Sequence, residues 1–149
     1  MGCRYNVGVF MAIKIKPADT WFSKCVREAS DWTCYKCGSI HEKGSVGLHN
    51  SHIFSRRHRT IRWCKENTDA MCFSCHQWFG GNPADSGYWI TEKKGEKYME
   101  LLREKRDLKV KITKAEEKEI AAWYRKEHKM LEECRAAGQT GKLDFTSYQ

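Results

Sequence analysis

The chain has 149 residues, eight of them cysteine, and a formal charge of +8 from 27 Lys and Arg against 19 Asp and Glu. A chain of this length buries one modest core, so one folded unit with extensions is expected, and the positive excess suits a polyanion such as nucleic acid or an anionic membrane surface. No apolar run approaches the ~20 residues of a transmembrane span, which sets the membrane aside, and Asn6 stands where a myristoylation signal needs Ser or Thr.

Residues 1–16 carry no strong helix or strand pattern and read as a flexible leader, in which Met11 offers a second translation start. The short apolar run Val7 to Ile13 lacks the basic leader, long apolar stretch and small-residue cleavage site of a secretory signal. A cytoplasmic location is therefore expected, and in a reducing compartment cysteines serve metal binding more often than disulfides.

Asp19 is a good N-cap for a helix from about Thr20 to Ala29, whose Trp21, Phe22, Cys25, Val26 and Ala29 recur at three- and four-residue spacing. Next comes Cys34-Tyr-Lys-Cys37-Gly38, two thiols on a tight turn followed by a glycine able to take positive φ. Gly44 to Phe54 is glycine-punctuated and rich in Val, Leu, Ile and Phe, which predicts a β-hairpin of two short strands. Asn67 to Phe79 reads as a loop entering a helix near a second pair, Cys72 and Cys75, and residues 83–92 read as a linker. Glu96 to Leu108 is helical by its apolar spacing. Thr113 with Glu116 forms a capping box for a long last helix to about Ala137, ending at Gly138, after which the polar tail is expected to fray.

The two C-x-x-C pairs, 34 residues apart, can bring Cys34, Cys37, Cys72 and Cys75 to one tetrahedral Zn²⁺. Four thiolates leave no open position, so that metal is structural. Cys3, Cys25, Cys64 and Cys134 are scattered singly and read as ordinary thiols. His41, His58 and His128 have no ligand-like spacing, and Trp63 and Trp78 read as core or zinc-covering aromatics. Arg56, Arg57, Arg59, Arg62 and Lys65 place five cations in ten positions, a density suited to gripping a phosphate backbone.

The segments "LHNSHIFSRR" and "ENTDAMCFSCHQW" give His52, Asn67 and His76 in the order H…N…H, with fourteen residues in the first interval and eight in the second. On these residues the chain resembles the HNH (ββα-metal, His-Me finger) endonucleases. More narrowly, "WTCYKCG", "SHIFSRRHRTIRW", "KENTDAMCFSCHQW" and "KKGEKYMELL" resemble phage recombination nucleases of the lambdoid Rap (NinG) kind, a resemblance that covers roughly residues 19 to 105.

The resemblance implies an α+β fold: a small ββα-metal core stapled by the four-cysteine zinc over residues 17–92, with an N-terminal helix, and a C-terminal helical extension over 93–149. It implies that His52 deprotonates the attacking water and that His76 ligates a catalytic Mg²⁺ or Mn²⁺ bridging the scissile phosphate and the leaving 3′ oxygen. Asn67 then orients the loop or reaches the metal. Many relatives carry an acid or a second His immediately before the base, where this chain has Ser51; strand alternation puts Asn50 rather than His49 on the face of His52.

The function so implied is hydrolysis of DNA phosphodiester bonds, in phage recombination on branched DNA. The alternatives are a nicking or restriction-type HNH nuclease and a non-catalytic zinc module that binds nucleic acid. The long last helix offers a surface for a homodimer.

Overall fold

The computed structural model describes residues 13–148, so the expected leader lies, for residues 1–12, outside the described residues, as does Cys3. Among the described residues the fold is α+β, with five α-helices and one two-stranded sheet: α1 (Pro17–Ala29), β1 (Leu48–His52), β2 (Thr68–Cys72), α2 (Phe73–Gly81), α3 (Pro83–Lys94), α4 (Glu96–Asp107) and α5 (Lys114–Ala136).

Helix α1 starts earlier than its sequence suggests. Pro17 occupies the first turn, where its missing N–H costs nothing, and Asp19 lies inside the helix, its carboxylate accepting the Lys16 N–H at 2.8 Å. Asp19 is thus not the N-cap residue. It is buried, and takes Arg62 and Trp63 as further donors. The chain leaves α1 through two consecutive left-handed residues, Asp31 and Trp32. The Trp32 indole N–H bonds the buried Glu28 carboxylate at 3.0 Å, which fixes this strained exit and aims the chain at the first cysteine pair.

The hairpin expected within residues 44–54 does not form. That segment supplies only β1, and its antiparallel partner is β2, with Leu48 opposite Cys72 and His52 opposite Thr68. Between them runs a long loop ending in a short 3₁₀ turn at Lys65–Asn67. The segment expected as a loop before the second cysteine pair is therefore mostly strand, and β2 passes straight into α2. Residues 83–92, expected as a linker, belong to helix α3, which again opens on a proline.

The main core joins α1, the sheet and α5. Phe22 and Tyr124 meet at 4.9 Å between ring centroids, and Ile120 and Leu131 of α5 are enclosed beside them. Each such large side chain removed from water contributes about 1.5–3 kcal/mol. Thr113 caps α5 by accepting the Glu116 N–H at 3.1 Å. The tail does not fray: Phe145 is buried, the Leu143 N–H bonds the Ala29 carbonyl at 2.9 Å, and Ser147 accepts the Lys65 N–H at 2.9 Å. Its polar composition hid one apolar anchor, Phe145, with a rim of backbone hydrogen bonds.

Candidate functional site

The sulfur atoms of Cys34, Cys37, Cys72 and Cys75 all lie within 4.8 Å of one another, and Cys37 and Cys72 are 3.8 Å apart. Zn–S bonds of ~2.3 Å in a tetrahedron put sulfurs ~3.8 Å apart, so the cluster fits a metal such as zinc. Cys34 and Cys37 sit on a turn closed by the Gly38 N–H to the Cys34 carbonyl at 2.9 Å, with Gly38 at φ 73°. Cys72 ends β2 and Cys75 lies in the first turn of α2. Burial raises the Cys72 thiol, but the Ser74 hydroxyl and the Cys75 backbone outweigh it and bring it down to about 6. Trp78 and Trp89 cover the turn, with the Lys36 ammonium 4.4 Å from the Trp78 ring. Of the other thiols, Cys25 and Cys64 are buried and Cys134 is half-buried, all unbridged.

The first residue of α2 beyond Cys75 is His76. It lines a cleft of about 570 Å³ together with Asn50 and His52 from β1, Arg56 from the long loop, and Ser23 and Arg27 from α1. In this cleft His52 bonds the Arg62 carbonyl through Nε2 at 2.9 Å. A carbonyl only accepts, so Nε2 carries the proton and Nδ1 presents its lone pair. Burial, and the charge of Arg56, push the His52 imidazolium down to about 4 against the partial support of the Arg62 carbonyl. The ring is neutral at physiological pH.

The ring of His76 is held at its own Nδ1, 3.0 Å from Nδ1 of His49, whose Nε2 bonds the Val46 carbonyl at 3.1 Å. His49 Nε2 is therefore the donor to the carbonyl, its Nδ1 accepts from His76, and Nε2 of His76 is left as an acceptor. Burial lowers the His76 imidazolium, and its neighbours His49 and Arg56 act in the same direction. Strand alternation does place Asn50 in the cleft with His52, as expected. What alternation could not reveal is that His49, on the other face of β1, meets α2.

Ser51, the residue before His52, is enclosed at 2 % exposure. Asn50 lines the cleft, and its Oδ1 is buried with no hydrogen-bond partner among the described residues. An amide oxygen and an imidazole nitrogen are each a kind of donor that divalent cations accept.

Asn67 is fully enclosed, and its amide is spent on the loop. Oδ1 accepts the Phe54 N–H at 2.8 Å, while Nδ2 donates to the carbonyls of Phe54 at 2.9 Å and Ile61 at 3.2 Å. This placement suits orientation of the loop and opposes the alternative of metal ligation.

The five expected phosphate-binding cations separate. Arg56 lines the cleft, and Arg57 is exposed on the same loop. Arg62 is 4 % exposed and makes a two-point ion pair with Asp19, at 2.6 and 2.8 Å. It is a scaffold residue, a correction to its reading as a DNA contact. Arg59 reaches Glu117 of α5 and the Ile112 carbonyl, and Lys65 binds Asp144 at 2.7 Å and the Phe145 carbonyl at 2.8 Å. Their partners lie far along the chain, so the local density of positive charge gave no sign of them.

Comparison with protein-family models, curated proteins and solved structures gives no match. Among the described residues no helix is long and apolar enough to cross a membrane.

Proposed function

We propose that this chain is a metal-dependent HNH endonuclease that hydrolyses DNA phosphodiester bonds, with branched recombination intermediates as its substrate class. The observation that carries the proposal is the cleft itself: a neutral histidine with its lone pair free, a second histidine held by its back nitrogen, and an unpartnered amide oxygen share one cavity with Arg56. The strand–strand–helix order of β1, β2 and α2 and the H…N…H order of the sequence support the same reading.

In the proposed reaction His52 Nδ1 takes a proton from a water molecule, and the resulting hydroxide forms a bond to phosphorus while the bond to the 3′ oxygen breaks. Arg56 pairs with a non-bridging phosphate oxygen, which positions the backbone and offsets its charge. His76 and Asn50 would hold a Mg²⁺ or Mn²⁺ ion, which supplies Lewis-acid stabilisation of the phosphate and the leaving oxygen. Asn67 keeps the loop that carries Arg56 in register with β1. The four cysteines would hold a structural Zn²⁺, and so tie the first knuckle to the β2–α2 junction.

The test is cleavage of labelled four-way junction, nicked, single-stranded and linear duplex DNA with Mg²⁺ or Mn²⁺, by wild type and by zinc-replete His52→Ala. Cutting by the wild type alone is expected, with the junction preferred. Preference for plain duplex would reassign the substrate to the nicking or restriction type. No cutting by either protein would leave a non-catalytic zinc module.

A further inference from the structure

The charges of α5 nearly cancel along its sequence but not around its axis. Lys118, Ala122, Arg125 and Lys129 recur at i, i+4, i+7 and i+11 and so share one strip of the helix. The acidic flank is covered by the C-terminal segment: Glu127 accepts the Thr146 N–H at 2.8 Å, Glu119 accepts the Tyr148 hydroxyl at 3.0 Å, and the Trp123 indole donates to the Thr146 carbonyl at 2.8 Å. The basic flank stays open. It forms one wall of a groove of about 820 Å³ whose other wall is α1, through Trp21 and Lys24.

Trp21 is the aromatic side of this groove, with the Lys24 ammonium 4.5 Å and the Arg125 guanidinium 5.6 Å from its ring. Such cation–π contacts hold both charged heads in place without neutralising them. Among the described residues Lys24, Arg125, Lys126 and Lys129 have no acidic partner within ion-pair distance, and Glu132, the carboxylate in the groove, is engaged by Lys43 at 3.3 Å. Like charges gathered on one surface repel each other unless an anion lies against them.

We propose that this groove binds the phosphodiester backbone of duplex DNA as a second track beside the cleft. The two sites are neighbours on α1: Thr20, Ser23 and Arg27 face the cleft, while Trp21 and Lys24, one position round the helix, face the groove. One helix diameter of ~10–12 Å separates them, about three base pairs at 3.4 Å each. A duplex engaged at the cleft therefore has phosphates within reach of Arg125 and Lys129. The inference rests on DNA being the partner of the cleft, but it is independent of whether the cleft cuts.

The test measures binding of a labelled duplex by fluorescence anisotropy across a range of salt concentration, in a His52→Ala parent so that nothing is cut. The groove variant carries Lys24→Gln, Arg125→Gln and Lys129→Gln; a control carries Lys93→Gln, Lys97→Gln and Lys109→Gln, losing the same charge elsewhere. Both should keep the parent's melting temperature, since these side chains are exposed or, for Lys24, half-buried. The groove variant is expected to bind at least about 10-fold more weakly and to lose about 2–3 from the slope of log K against log salt, at ~0.9 per phosphate contact, with the control near the parent.

Equal slopes in groove variant and control would overturn the proposal. So would loss of binding to anionic phospholipid vesicles or polyglutamate with DNA binding unchanged. Wild-type cutting together with an unchanged slope refutes the groove alone, whereas a groove-dependent slope in a protein that never cuts refutes the nuclease and leaves the groove standing.

Discussion

The cysteine cluster and the histidine cleft meet in the first turn of α2, where Cys75 and His76 are adjacent, yet they are built on opposite terms. Four sulfurs within 4.8 Å could hold a metal such as zinc, and would saturate a tetrahedral ion and leave it nothing further to bind. The cleft gathers fewer donors around a cavity of about 570 Å³ and leaves Asn50 Oδ1 without a partner among the described residues. A closed donor set stores its free energy in the fold, whereas an open one keeps it available for a ligand. Adjacency lets the closed site hold the open one: Cys75, once bound, fixes the helix that carries His76.

Removing a metal held by the four cysteines should therefore have the largest effect. Structural zinc contributes on the order of 10 kcal/mol in small zinc domains, comparable with the whole stability of a domain of this size. A strong zinc chelator, or Cys72→Ser, is expected to abolish the cooperative melting transition followed by circular dichroism. An unchanged melting curve after zinc loss would break the account of the closed site.

A smaller loss is expected at the scaffold beneath the cleft. Burial acts to raise the Asp19 carboxyl, but Arg62, the Lys16 N–H and Trp63 together hold it below its ordinary value. Removing Arg62 strands that charge, so Arg62→Ala should cost about 3–5 kcal/mol in urea denaturation. It should leave the salt dependence of DNA binding in the folded protein unchanged. A cost under about 1 kcal/mol would return Arg62 to the role of a surface cation.

The pH dependence of stability sharpens the same comparison. The folded His52 resists protonation down to about 4, while the unfolded side chain binds its proton near 6.5. The unfolded state thus holds more protons between those values, and stability falls as pH drops through that window, by up to about 3 kcal/mol from this residue. In His52→Gln the slope of the denaturation midpoint against pH should be shallower than in wild type. Equal slopes would show that the ring is not withheld from water.

These contrasts also mark what the sequence disclosed. The knuckles, the α4 helix and the Thr113 cap were readable because each is complete within a few residues. β2 was not: its five residues include the charged Asp69, and its partner β1 lies across the long loop that Asn67 holds. Arg62 was misread because its neutralising partner is 43 residues away. His49 was passed over for a geometric reason, since alternation along β1 says nothing about where α2 crosses it. The tail was taken as polar because its partners, Ala29 for Leu143, Lys65 for Ser147 and Tyr124 for Tyr148, lie far back in the chain.

The most direct test of the open site compares single-turnover cutting by wild type, His52→Ala and Asn50→Ala, all zinc-replete, across a titration of Mg²⁺ or Mn²⁺. Removing the base should slow cutting by about 10²–10⁴-fold at every metal concentration. Removing the amide oxygen should raise the metal needed for half-maximal rate by about 10-fold or more and be recovered at high metal. A His52→Ala protein that cuts at the wild-type rate, or a wild type that cuts nothing with either metal, would contradict the account.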